Sequence, residues 1–413
     1  MTTQAILACL IFVATIILLV WQPVHMVIIG ALIPAVLATC GLIDPKTAYT
    51  DFGNTTIVFF MGLVVVGEAF FKTGLASYVG GKIIGLLGKN EKGLMLGTGI
   101  VGGGLSAFMN DTGSTACLMP IVSSMAAKAN VHPSKLLMAL AYFCSMGGTI
   151  TLAGTTPHIV ANGILADNGL REFGFFEYAK IGVPILVVGI IYMCFIGVKF
   201  MPNKAMDFKG LDRESANDPK KMITVAVIFI AVLVCMGTNI VPMHIAGVFG
   251  AILVVLTGCI TIEEAIAAFP TSTVFVIGAA FPLGKALVNS GATEYFVEKL
   301  APALQQLPPV LLLGGITFLM IVITQFLTNS SATILMLPVA LTLCQAAGIN
   351  PLAGAMAVSV AASGAFTTPF GTSANMVVWA AGGYSMKDYF KCGLPLCLVF
   401  GITATICCAI FYL

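Results

Sequence analysis

Charged side chains are scarce in this 413-residue sequence: Lys, Arg, Asp and Glu make up 9% of it. A soluble globular chain carries about 25%, because its surface must face water. The scarcity excludes a cytosolic enzyme, a secreted disulfide scaffold and a nucleic-acid binder, since most of the surface must meet hydrocarbon. Nineteen basic against 17 acidic residues give a net charge of +2, far from the basic footprint that polyanion binding needs. Of the 4 histidines, His25, His132 and His244 are isolated and lack metal-ligand spacing. CxxC, HExxH, GxSxG and paired-Asp motifs are missing, which argues against an intramembrane enzyme. No Lys-Ser/Thr pair follows the glycine run Gly102-Gly103-Gly104, so a nucleotide loop and a bound cofactor are not expected. The N-terminal apolar stretch lacks a basic n-region and a small-residue cleavage site, so it reads as a first span rather than a signal peptide.

What the sequence has is apolar length. Hydrophobic residues form 59% of it and the mean hydropathy is +1.04, as in a polytopic membrane protein. Runs of about 17 to 25 apolar residues can cross a bilayer as helices. Such runs, some of them longer, fall near 5–21, 24–43, 55–71, 134–163, 181–200, 222–241, 243–260, 271–288, 352–380 and 393–413. Two more, 92–128 and 309–347, are interrupted midway by Asn110-Asp111-Thr112 and Thr328-Asn329-Ser330. These two are expected to be re-entrant hairpins with buried tips, because irregular backbone at membrane depth survives only inside protein or beside water. Cys9, Cys40, Cys144, Cys194, Cys235, Cys259 and Cys397 lie in apolar runs and are expected as buried free thiols.

The chain repeats itself. At an offset of 217 or 218 residues Phe52 meets Phe269, Gly67 meets Gly284, Gly74 meets Gly291, Pro120 meets Pro338, Pro133 meets Pro351 and Gly154-Thr155-Thr156 meets Gly371-Thr372-Ser373. The predicted fold is all-α, with two repeats that each hold five transmembrane helices and one hairpin. An odd number of crossings inserts the second copy upside down, as in many secondary transporters. The positive-inside rule supports an outside N-terminus and a cytoplasmic 201–221 linker: 14 basic residues then lie inside and five outside. The first hairpin would open from the cytoplasm and the second from outside. Segments 72–91 and 289–307 read as amphipathic interfacial arms.

Oxygens, amides and freed backbone crowd at each tip, Ser106 to Thr115 and Thr324 to Ser331. Broken helix ends add carbonyls for a cation and N–H groups for an anion. Ser, Thr and Asn also serve as interhelical hydrogen-bond partners in membrane bundles; recurrence at matched positions favours a site. Gly147 to His158 and Thr367 to Asn375 are the matched helix breaks, where Gly and Pro unwind the helix. Glu68 and Lys285 occupy matched positions, and Glu68 stands four residues before Lys72, a favourable helix pair. Glu68 and Lys285 read as structural, near span ends.

These motifs carry a resemblance. Each tip resembles the Ser-Asn-Thr signature of the divalent anion:sodium symporter (DASS) family, within the ion transporter superfamily. Each break resembles that family's Gly-Thr-Pro-Pro-Asn stretch. Ala48 to Phe52 and Phe71 to Leu75 look like its early repeat. The resemblance runs from about residue 44 to the C-terminus. It implies an elevator-type homodimeric symporter of the inner membrane, carrying a di- or tricarboxylate or sulfate with sodium. The scaffold would be 1–91 and 222–307, and the moving transport part 92–200 and 308–413. Carried over by position, Asp111, Thr112, Thr156, Asn329, Ser330 and Ser373 would meet the anion. Ser106, Asn110, Asp111 and the Gly154 region would hold one sodium, and Thr324, Thr328, Asn329 and the Gly371 region the other. Two departures stand out: Asp111 replaces a neutral amide, and His158 replaces the Asn that Asn375 keeps. An intramembrane acid costs about 2.5–3.5 kcal/mol on insertion scales and is a functional hypothesis by default. Asp111 could strengthen sodium binding or couple transport to protons. A sodium/proton antiporter or an arsenite-type permease using Asp111 is the alternative reading.

Overall fold

Proline, glycine and side-chain caps cut the apolar chain into nineteen α-helices and three short 3-10 helices among the described residues, 1–21, 23–87, 90–203, 218–238, 240–269 and 271–413, of the computed structural model. Residues 204–217, the centre of the expected 201–221 linker, lie outside those described. The first half holds α1 (Thr3–Trp21), α2 (Met26–Thr39), α3 (Thr55–Lys72), α4 (Leu75–Leu87), α5 (Glu91–Ser106), α6 (Asp111–Lys128), α7 (Pro133–Gly147), α8 (Thr156–Asp167) and α9 (Ala179–Phe195). The second half holds α10 (Pro219–Thr238), α11 (Met243–Leu256), a short α12 (Ile262–Ala267), α13 (Thr271–Asn289), α14 (Ala292–Leu304), α15 (Pro309–Thr324), α16 (Asn329–Ala347), α17 (Pro351–Ala361), α18 (Ser373–Gly382) and α19 (Met386–Tyr412).

Local signals place the boundaries. Asn54, Asn90, Asn110 and Asn350 each cap a helix by accepting from a backbone N–H two or three residues on, which satisfies a donor that has no intrahelical partner. Gly74 and Gly291, a matched pair, turn the chain between α3 and α4 and between α13 and α14 with φ of +80° and +76°. That left-handed backbone is costly for any residue with a Cβ. The expected arms are α4 and α14, and the expected hairpins are α5–α6 and α15–α16.

Packing recurs between the halves. α2 lies against α13 as α3 lies against α11, and α5 against α7 as α15 against α17. Each hairpin also reaches across: α6 contacts α18, and α16 contacts α8. The centre is the most buried region; Leu136 to Cys144 of α7 are wholly inaccessible, and Tyr142 stacks edge-on against Phe366 while donating to its carbonyl at 3.0 Å. The outside is apolar. Leu394, Leu398, Ile402, Ile406 and Ile410 form an exposed stripe along α19 at helical spacing, a surface for acyl chains rather than water. Among the described residues five helices, α3, α10, α13, α16 and α19, are long and apolar enough to cross a membrane by length and composition.

Three expectations change. Lys72 pairs with Glu264 of α12 at 3.2 Å rather than with Glu68, since tertiary packing brings a carboxylate closer than the helix neighbour does. Lys285 is held by Asp51 and Asp167 instead of reaching freely toward an interface. Cys40 is exposed, and Cys9 and Cys235 are half-buried, because they fall on outward helix faces or ends.

Candidate substrate and cation site

Each hairpin turns within a few residues. α5 ends at Ser106, and Asn110 caps α6 by accepting from Thr112 N–H at 2.8 Å. α15 ends at Thr324, and Thr328 caps α16 by accepting from Ser331 N–H at 3.4 Å and donating to the Ser331 hydroxyl at 2.9 Å. The helix breaks are tied to these tips by matching bonds. In the first, the Thr151 hydroxyl donates to the Ala107 carbonyl, and His158 Nδ1 lies 2.8 Å from the Thr151 carbonyl. In the second, the Thr368 hydroxyl donates to the Gln325 carbonyl at 2.8 Å, and Asn375 Nδ2 donates to the Thr368 carbonyl at 3.0 Å. His158 thus does the positional work of Asn375. Its ring is buried and stacked on Tyr178, with centroids 3.7 Å apart, and it does not line the cavity described next.

Tips and breaks meet around one cavity of about 970 Å³. Four helix N-termini face it: α6 with Asp111 and Thr112, α8 with Thr156, α16 with Asn329 and Ser330, and α18 with Ser373. All six residues expected to meet an anion line it, together with Thr155, Ser331 and Thr372. Unpaired N–H groups and aligned dipoles make helix N-termini favourable to negative charge. Asn110, Gly154, Thr328 and Gly371 line it too, whereas Ser106 and Thr324 are buried behind it. Among the described residues its charged lining is Asp111, Glu68 and Lys72, with no arginine.

The two tips differ in chemistry. Asp111 accepts from the N–H and hydroxyl of Thr112 at 2.8 and 3.3 Å and from the Thr372 hydroxyl at 3.1 Å. It therefore turns toward the opposite repeat, and the Ser106 hydroxyl behind it is buried without a hydrogen-bond partner among the described residues. At the second tip one terminal atom of the Asn329 amide lies 3.0 Å from the Ala362 carbonyl, 2.9 Å from the Gly371 carbonyl and 3.0 Å from the Thr324 hydroxyl. The amide satisfies these oxygens by presenting its nitrogen. Presenting its oxygen would complete a four-oxygen cage, the donor set of a small hard cation in an unwound helix. A Cβ on Gly371 would come within 2.9 Å of the Thr324 carbonyl, and one on Gly154 within 2.8 Å of the Ser106 carbonyl, so glycine lets each break approach its tip. No group of three or more His, Cys, Asp or Glu side chains converges as a metal site among the described residues.

Sequence reasoning omitted Thr372, Gln325 and the Ala362 carbonyl from the site. Thr372 was within reach, being the matched partner of Thr155. Gln325 holds Thr367 by accepting from its N–H and hydroxyl at 2.9 and 2.7 Å, yet its match is Ala107, so the repeat gave no pointer. A backbone carbonyl carries no side-chain signal.

An apolar helical bundle interrupted at matched places around a polar cavity defines a polytopic membrane transporter. The chain belongs to the citrate transporter (CitMHS) family, whose profile matches residues 16–359 and 312–413. It is 21% identical to an uncharacterized transporter of Synechocystis, over 98% of this chain and 96% of that one. It is 24% identical to the sodium-dependent dicarboxylate transporter SdcS of Staphylococcus saprophyticus, over 88% of this chain and 78% of the relative. Among solved structures, the YdaH transporter of Alcanivorax borkumensis aligns with a TM-score of 0.70 at 15% identity, covering 98% of both chains. MtrF of Neisseria gonorrhoeae, described as an antimetabolite efflux pump, aligns at 0.66 and 15%, covering 97% of both. These two likenesses concern the fold. The relatives and fold neighbours are transporters, as the motifs had implied.

Proposed function

We propose that the protein is a secondary active transporter, not an enzyme, that imports a small di- or tricarboxylate, or sulfate, by symport with sodium. The observation that carries this reading is the meeting of four helix N-termini at one cavity beside the Asn329 cage. Helix ends suit the anion; carbonyls, a hydroxyl and an amide oxygen suit sodium. Thr112, Thr156, Asn329, Ser330 and Ser373 are the anion's direct partners in this reading, and Asp111 meets it through a proton or a bound cation, because a bare carboxylate would repel it. Thr324, Asn329, the Gly371 and Ala362 carbonyls, and Thr328 through its backbone, serve one sodium. Ser106, Asn110, Asp111 and the Gly154 region serve the other.

The two repeats are read as inverted, with 92–200 and 308–413 moving as an elevator against a dimeric scaffold of 1–91 and 222–307. An outside N-terminus and a cytoplasmic linker are read from the charge distribution, and the inner membrane from the family resemblance. Support for the substrate comes from the family and from the name of the staphylococcal relative.

One observation favours a second reading. Asp111 faces the cavity with a carboxyl group that has hydroxyl and N–H partners but, among the described residues, no cationic side chain bonded to it. A proton taken up there would make coupling proton-dependent, as in a sodium/proton antiporter or an arsenite-type permease. Uptake of labelled succinate, citrate and sulfate into proteoliposomes, under imposed sodium or proton gradients, separates the readings. Sodium-driven accumulation of a carboxylate supports symport; accumulation of none of the three transfers support to the antiporter.

A further inference from the structure

Glu68 and Lys285 stand at matched positions on α3 and α13, 217 residues apart, and bear opposite charges. Their surroundings differ. Glu68 lines the cavity and makes no hydrogen bond or ion pair among the described residues. Lys285 does not line it. Its ammonium lies 2.7 Å from Asp51 and 3.5 Å from Asp167, so two carboxylates enclose one cation, and the second oxygen of Asp167 is buried without a hydrogen-bond partner among the described residues. Asp51 belongs to the turn before α3, and Asp167 ends α8, beyond the first helix break. Around Glu68 the matched positions carry Ala268 and Tyr384, so nothing equivalent encloses it. Lys72, one turn away, also lines the cavity but is engaged by Glu264 at 3.2 Å.

We propose that Lys285 and Glu68 are the charged gateposts of two opposite access paths, so that a carboxylate anion enters past Lys285 and leaves past Glu68. The proposal rests on the reading of inverted repeats and a moving transport part. In such a pair, exchange of the two repeats' conformations converts one access path into the other. A position that lines the path in this state corresponds to its matched position in the opposite state. When α8 carries Asp167 away from the scaffold, Lys285 loses one of its two carboxylates and lines the new path as Glu68 lines the present one. A fixed cation in a vestibule raises the local anion concentration and on-rate, and a fixed carboxylate lowers both. The final gradient is still set by the coupling ion; the charges make the half-saturation constants unequal on the two faces.

A unit charge about 7 Å from a divalent anion in water changes its local concentration roughly sevenfold. The test uses the full chain in right-side-out and inside-out vesicles, with labelled citrate and succinate under a sodium gradient. K285Q is expected to raise the half-saturating concentration for outside entry about threefold to tenfold and to flatten its ionic-strength dependence, with inside entry within about twofold of wild type. E68Q should lower the half-saturating concentration for inside entry about threefold or more. K285R should restore the outside value. Equal effects on both faces, or none while wild-type uptake persists, overturns the gatepost assignment and leaves the transport reading standing. Failure of the wild type to carry either anion defeats that reading and the assignment with it. Should K285Q not fold, as judged by a monodisperse detergent profile, the E68Q arm decides alone.

Discussion

The hydroxyl of Thr372 donates to Asp111 across 3.1 Å, joining the start of α18 to the start of α6 although the two residues are 261 apart in sequence. The bond ties the acidic tip of one repeat to the broken helix of the other. A hydrogen bond to a charged group contributes about 1.5–3 kcal/mol to the stability of the arrangement it holds, here the one that presents Asp111 to the cavity; a cost of that size borne by the loaded state is roughly tenfold to a hundredfold in affinity. Thr372→Val is therefore expected to raise the substrate KM at least about tenfold, with Thr372→Ser close to wild type, as read by initial uptake rates.

Asp111→Asn gives the first tip the amide that Asn329 supplies at the second. The expected outcome is uptake whose pH dependence is flattened or whose sodium dependence is altered. Parallel titrations of pH and sodium check it; two unchanged profiles would remove Asp111 from coupling altogether.

Truncating Asn329 to Ala removes the side-chain atom that faces the Ala362 and Gly371 carbonyls. The Gly371 carbonyl then loses this contact, the Ala362 carbonyl keeps the Thr324 hydroxyl at 2.8 Å, and the cage lacks one wall. Half-saturating sodium should rise by about tenfold or more, one lost oxygen being worth at least about 1.4 kcal/mol. The Thr112→Ala change at the other tip should act mainly on the anion. Sodium titration of citrate or succinate uptake distinguishes the two.

His158→Asn should fold and transport nearly as the wild type, because Asn375 makes the same carbonyl bond in the second repeat. His158→Ala leaves the Thr151 carbonyl with only the long Gly154 N–H contact of 3.4 Å and empties the space against Tyr178. Unpaired buried groups and core cavities each cost on the order of 1–3 kcal/mol. Melting in detergent should fall by several degrees for His158→Ala alone.

Glu177, in the loop between α8 and α9, is the clearest acid-sensitive contact. Burial works against its charge, yet the Arg171 fork at 2.8 Å, the Gly174 N–H at 3.0 Å and the Tyr412 hydroxyl at 2.9 Å hold its carboxyl down at about 2. A depressed folded-state value means the stabilisation is present above the unfolded value of about 4.5 and is lost as pH falls from there toward 2. Glu177→Gln should lower the melting temperature at neutral pH and shrink the difference between pH 7 and pH 3.

The broad plan was readable from residue order because lipid tolerates so little. Gly, Pro, Asn and Thr inside apolar runs must be capped or buried, so Asn110 to Thr112 and Thr328 to Ser330 announced hairpin tips, and Gly154 and Gly371 announced breaks. The matched glycines and prolines announced the duplication, the site-bearing loops followed from these local rules, and the family followed from the resemblance of the motifs.

Partnership was decided by tertiary structure. Lys72 had Glu68 one turn away, yet it bonds Glu264; Lys285 takes Asp51 and Asp167 from two distant segments; Asp111 bonds across to Thr372 while its match Asn329 bonds within its own repeat. The sequence by itself determined where the helices must break, since that depends on backbone polar groups and neighbouring side chains. Only the folded chain decided which charges meet, because such pairs depend on how elements hundreds of residues apart are stacked.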